Sequence, residues 1–189
     1  GGVDAFFMET FSDIPEITVA IQAAHSVAPE LPIIAHLTFT DDGKTLHGYK
    51  PEEVARQLTS LGTVIVGVNC SVGPQPIMEV VDRMIEKSGI DPLRLSIMPN
   101  AGVPRIHEGR FVYVCSPEYM AEYAREFVLK GAHIVGGCCG TGPEHIRHMR
   151  NAVQGMKPKH NVRISLGGND EISGLIPIGL GEHQHRSNS

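Results

Sequence analysis

Five apolar runs, starting near residues 4, 32, 64, 93 and 132 and each followed by an amphipathic run, predict an α/β fold of five βα units. The intervals are close to the ~30 residues of one such unit. Polar and thiol side chains fall where the apolar runs stop: Glu9, Cys70, Asn100, then Cys138 and Cys139. Groups gathered at successive strand C-terminal ends are what an α/β barrel provides, because the loops on that face build its site. A doubly wound open sheet would space its elements similarly, but no G-x-G-x-x-G follows the first run. The expected fold is therefore a partial (β/α)8 TIM barrel. Five βα units are visible, and the three N-terminal units are expected to be missing ahead of Gly1, so that residues 1–189 alone would not make a competent enzyme.

The elements follow in order. Gly1 to Thr10 opens inside a buried-type strand. Ser12 or Asp13 can cap the first helix, with Pro15 in its first turn and Ile17, Ala20, Ile21 and Ala24 as its apolar stripe. Leu31 to Phe39 is apolar almost throughout, as a strand covered on both faces requires. His36 within it reads as a hydrogen-bonded interior histidine ahead of a ligand or base. Helix two runs from Pro51 to about Leu61, and strand three from Val64 to Val68. Helix three carries Ile77, Val80, Val81, Met84 and Ile85 and stops near Gly89. Leu93 to Met98 delivers Pro99-Asn-Ala-Gly102 at its end, where Asn100 reads either as a ligand-facing amide or as an Asx-type turn residue. Ser116-Pro117 opens helix four and Gly131 closes it; helix five uses Ile146, Met149 and Val153 and ends around Gly155. Residues 1–157 are thus the barrel part. From Pro158 the periodicity fails, and residues 158–189 read as a mostly disordered linker with one short apolar attachment, Ile172 to Ile178. His183 and His185 read as part of a solvated tail.

A chain that is 41% hydrophobic and 20% charged has ordinary globular composition. Its net charge of −5 supplies no basic face for nucleic acid, and no Lys/Arg cluster suggests a membrane surface. No apolar run approaches the ~18 residues of a membrane span, so the expectation is a soluble, cytoplasmic protein. Four cysteines are too few for a disulfide scaffold. Three of them lie in Gly-rich turns, whereas Cys115 sits just before a helix start and reads as a structural or bystander thiol.

Cys138 and Cys139 are adjacent, which fits neither a zinc knuckle nor a C-x-x-C redox pair. Cys70 repeats their local setting, an apolar run that ends in a thiol, then Gly and Pro. Three thiolates from two equivalent strand ends could hold zinc and leave a fourth tetrahedral position open, the arrangement of catalytic sites.

The motifs G-V-N-C-S at 67–71, G-G-C-C-G-T at 136–141, P-N-A-G at 99–102 and E-T at 9–10 resemble the homocysteine S-methyltransferase domain. That domain occurs in cobalamin-dependent methionine synthase, in betaine and S-methylmethionine enzymes, and in bifunctional proteins joined to a methylenetetrahydrofolate reductase. The resemblance covers roughly residues 1–155 and is most specific in the two cysteine motifs together. It implies a methyltransferase in which Cys70, Cys138 and Cys139 bind Zn2+, the metal binds the sulfur of homocysteine, and methionine is the product. It also implies that Glu9 holds the substrate ammonium; Asn100, at a strand end, is the second candidate substrate-binding residue, able to donate to a substrate carboxylate or transiently ligate metal. The partners it implies are homocysteine, a methyl donor (a methylfolate/corrinoid system or a sulfonium compound) and a possible downstream reductase domain. Two rivals remain at this level. A structural zinc module would ordinarily have four protein ligands. A redox switch through a Cys138–Cys139 disulfide must span Cα atoms ~3.8 Å apart where disulfides usually need ~4.4 Å or more.

Overall fold

The computed structural model describes residues 2–158, together with the backbone of three short strands at Arg163–Ser165, Glu171–Ser173 and Ile176–Pro177. Strands β1 (Phe6–Phe11), β2 (Ile33–Leu37), β3 (Ile65–Asn69), β4 (Leu95–Met98) and β7 (Ala132–Val135) alternate with helices α1 (Ile14–Val27), α2 (Pro51–Ser60), α3 (Pro74–Lys87), α4 (Pro117–Leu129) and α5 (Pro143–Val153). All five expected units are present. Four helices begin on a proline (Pro51, Pro74, Pro117 and Pro143), where the missing N–H is one that a first turn leaves unpaired anyway. Ser116 caps α4 by accepting from the Tyr119 amide at 3.3 Å, whereas Asp13 stands at the α1 N-cap without a side-chain bond.

The strands pair in parallel in the order β1-β2-β3-β4-β7. That order never reverses, and successive helices from α1 to α5 touch one another in a single layer. A doubly wound sheet reverses its strand order and places helices on both faces. A progressive order with one helix layer is an arc of an α/β barrel, as the spacing predicts.

Two strands lie outside the βα repeat. β5 (Arg105–His107) and β6 (Arg110–Val112) form an exposed antiparallel hairpin in the connection after β4. Its two-residue loop, Glu108-Gly109, has φ of 48° and 74°, the positive pair that a tight hairpin turn needs. No core-facing alternation marks this segment in the sequence, because every residue of both strands is exposed. Beyond residue 158, β8 (Arg163–Ser165) pairs antiparallel with β9 (Glu171–Ser173), and β10 (Ile176–Pro177) joins the sheet parallel to β7. The apolar attachment expected at 172–178 therefore falls on β9 and β10. The remainder of the expected linker, with His183 and His185, lies outside the described residues.

Alternation along each strand divides the apolar side chains between two clusters. Ile33, Ala35, Leu37, Val66, Val68, Leu95 and Ile97 face the helices, in one core with Ile17, Ile21, Leu58, Ile77, Met84 and Phe127. Ile34, Ile65, Met98 and Ile134 form the smaller cluster on the opposite, concave side. His36, Gly67, Asn69 and Ser96 share the parity of that second set.

His36 is fully buried, with its ring set edge-on to Phe7 at a centroid distance of 4.7 Å. The interior placement matches expectation, but the hydrogen bonding does not: neither ring nitrogen has a partner. Space explains the sequence next to it. A Cβ on Gly67 would overlap both the Ser96 carbonyl oxygen and His36 Nε2, so only glycine fits between them.

Two outcomes follow from this layer. Gly67→Ala should lower unfolding free energy by ~1–3 kcal/mol, the usual penalty of overpacking a site that has a backbone oxygen as its wall, measured by urea titration. Burial lowers the His36 pKa from 6.5 to about 3. Between those values the unfolded chain takes up a proton at His36 that the folded chain refuses, so stability should fall as pH drops through that window. Urea titrations on either side of it should show a flatter dependence for His36→Leu.

Candidate metal centre

Both thiol-bearing turns are built on the C-terminal edge of the sheet. After β3 the chain turns through Cys70 and Ser71, both left-handed at φ 60° and 62°. For residues with a Cβ this conformation costs on the order of 1–3 kcal/mol each and persists only when surrounding bonds impose it. Here the Cys70 amide donates to Met98 O at 3.1 Å, and Val72 donates back to Cys70 O at 2.8 Å. After β7, Gly136 and Gly137 carry the chain to Cys138 and Cys139. The Cys138 amide donates to Pro99 O at 2.8 Å, Ala101 N donates to Cys139 O at 2.9 Å, and the Cys139 amide donates to Asn100 Oδ1 at 3.0 Å. The Asn100 amide in turn donates to Val72 O at 3.1 Å. Residues 98–101 therefore clamp the Cys70 turn on one side and the Cys-Cys turn on the other.

The clamp brings the sulfurs together. Cys70 Sγ and Cys139 Sγ are 3.7 Å apart, and all three Sγ atoms lie within 4.8 Å of one another. A tetrahedron with metal–sulfur bonds of ~2.3 Å has edges of ~3.8 Å, so this spacing suits zinc. No fourth histidine, cysteine or carboxylate joins the group among the described residues. Burial, then the neighbouring Cys70 thiol, push the Cys138 pKa up to about 12, while Asn69 pulls it the other way. Sulfurs this close resist ionising together, and a divalent cation is what would offset them. Cys138 and Cys139 do not form a disulfide; all four cysteines are free. Cys115 stays out of the cluster, half-buried against the core, with its thiol pKa raised by burial.

Glu9, exposed near the end of β1, reaches the same place: its Oε2 lies 3.4 Å from Asn69 Nδ2, which lies 3.8 Å from Cys138 Sγ. Asn100 is buried, with 3% of its surface exposed, and its side-chain oxygen accepts from the Cys139 amide. Sequence reasoning missed three neighbours. Asn69 is the one polar side chain in Ile65–Asn69, a signal that was available. Thr10 stands in the E-T motif at 9–10, which is a signal too, and Tyr113 carries none. Tyr113 follows the hairpin and lays its ring on Gly140, whose φ of 79° and lack of Cβ admit it. Burial first and then the neighbouring Cys139 raise the Tyr113 phenol pKa.

The fold and site define a class, an α/β-barrel segment with a three-thiol centre at the C-terminal ends of its strands. Within that class the chain belongs to the homocysteine S-methyltransferase family, whose sequence profile matches residues 1–153. It is 32% identical over 162 residues to methionine synthase of Mycobacterium tuberculosis, and 32% identical over 158 residues to that of Mycobacterium leprae. These matches take in 83% and 81% of this chain but 13% of each methionine synthase. Among solved structures it resembles the apo homocysteine methyltransferase MmuM from Escherichia coli, with a TM-score of 0.62 and 22% identity. That alignment covers 80% of this chain and 51% of MmuM, and supports the fold. The chain thus spans about half of this structural relative and a small part of the methionine synthases.

Purified with its thiols reduced, the protein should hold about one zinc per chain. Cys70→Ser, Cys138→Ser and Cys139→Ser should each abolish tight binding, and Cys115→Ser should leave it intact, as read by elemental analysis after dialysis against a chelator.

Proposed function

We propose that this chain carries the homocysteine-activating site of a zinc-dependent methyltransferase that makes methionine. The observation that carries the reading is the convergence of Cys70, Cys138 and Cys139, with Sγ atoms within 4.8 Å, beside the Glu9 carboxylate. A free alkyl thiol has a pKa near ~8.5 and is mostly protonated at neutral pH, yet the thiolate is the nucleophile. Zinc held by the three cysteines would supply a Lewis acid that ionises the substrate thiol and a fourth position to receive it.

The remaining work falls to the chain. Glu9 pairs with the substrate ammonium and sets the orientation of the amino acid. Asn100 keeps the Cys-Cys turn in register with the Cys70 turn, and a substrate contact at Asn100 is part of the same proposal. In the overall step the S–H proton leaves to solvent, a carbon–sulfur bond forms, and the bond between methyl and donor breaks. The donor is a methylfolate/corrinoid system or a sulfonium compound, presented by another part of the polypeptide or as a free small molecule. A downstream reductase domain would favour the folate source.

X-ray absorption at the zinc edge should show three protein sulfurs, rising to four with homocysteine. A shell that stays at three under saturating homocysteine removes the activation mechanism. Glu9→Gln should keep its zinc and weaken homocysteine about ten- to a hundred-fold, the size of one lost charge-assisted hydrogen bond of ~1.5–3 kcal/mol, measured by calorimetry. Unchanged affinity returns Glu9 to a surface carboxylate.

A further inference from the structure

Asn69 is fully buried at the end of β3, and its carboxamide faces the end of β1 and the thiol cluster together. Oδ1 accepts from the Thr10 amide at 2.9 Å, and Nδ2 donates to Thr10 Oγ1 at 2.7 Å. Nδ2, which carries a second hydrogen, also lies 3.4 Å from Glu9 Oε2 and 3.8 Å from Cys138 Sγ. One planar group of about four atoms therefore spans the interval between the carboxylate and the sulfur.

Thr10 shows that this contact constrains the backbone. Its φ is 65°, a left-handed conformation that a β-branched residue adopts only when held there. The two bonds from Asn69 are the holding contacts, and they fix the direction in which the preceding residue, Glu9, leaves the strand.

We propose that Asn69 is a positioning residue that gauges substrate length. It sets the separation between the Glu9 carboxylate and the thiol cluster, and so selects the amino thiol with two methylenes between its α-carbon and its sulfur. The inference rests on the assignment of Glu9 to the substrate ammonium and goes beyond it. A site with two fixed ends discriminates by length because a shorter substrate engages one end and leaves the other unpaired. One methylene ordinarily changes selectivity by ~10–200-fold in an apolar pocket, and unpaired polar ends raise that figure. Cysteine, one methylene shorter than homocysteine, is the natural probe.

The test uses the complete zinc-loaded protein and measures zinc content together with homocysteine and cysteine affinities by calorimetry. The variants are Asn69→Ala, Thr10→Val, Glu9→Gln and the Asn69→Ala/Glu9→Gln pair. Asn69→Ala should retain zinc, weaken homocysteine about ten-fold or more and leave cysteine nearly unchanged, so that the preference between the two collapses. Added to Glu9→Gln it should cause little further loss, since the carboxylate it places is already gone. Thr10→Val, at an exposed position, should give a smaller collapse of the same ratio and carries the test should Asn69→Ala not fold. An unchanged homocysteine-to-cysteine ratio in the folded variants, or losses that simply add in the double variant, overturns the gauge while leaving the proposed function standing. A zinc-loaded wild type that binds neither amino thiol overturns both.

Discussion

The turn that ends β4 is the constraint on which the site depends. Met98, Pro99, Asn100 and Ala101 direct one set of backbone and amide groups to the Cys70 turn and another to the Cys138-Cys139 turn. Three thiols separated by as many as 69 residues meet because both turns hang on this one segment. The left-handed pair Cys70-Ser71 is kept by the same bonds. Strain held in this way sets the sulfurs in place and would reduce the reorganisation that binding a cation requires.

The sheet beneath supplies the rigidity. Parallel strands β2, β3 and β4 are buried along their whole length, with helices packed on one side and the smaller Ile34, Ile65, Met98 and Ile134 cluster on the other. Loops that leave such strands start from fixed points. The concave side carries polar atoms as well, with His36 and Ser96 buried and without partners, so the layer below the thiols is not a purely apolar floor. A neutral His36 ring is tolerated because Gly67 leaves room for it and burial suppresses its charged form.

Membership of the homocysteine S-methyltransferase family agrees with this geometry, and the chain represents a portion of the larger relatives it matches. The portion contains both cysteine turns, the clamp between them and the Glu9-Thr10 strand end. Under the proposed function these are the parts that would receive the thiol substrate.

The sequence by itself determined the βα repeat, since apolar runs at ~30-residue intervals and prolines at helix starts are local signals. It also singled out the three thiols that the structure brings together, because all three stand in Gly-rich turns at strand ends. The exposed hairpin at 105–112 escaped, because strands that bury nothing leave no apolar period to read. Only the tertiary structure decided what the polar side chains touch. Asn100 looked equally like a substrate contact or a turn residue, and its oxygen proves to be bonded to the Cys139 amide, 39 positions along the chain. Asn69 lies one residue past the strand expected at Val64 to Val68, and in the structure it ends β3 and bridges Glu9 and Thr10 to Cys138. Hydrogen bonds between residues 39 to 69 positions apart have no local period, so they become visible once the sheet has set which strand ends are neighbours.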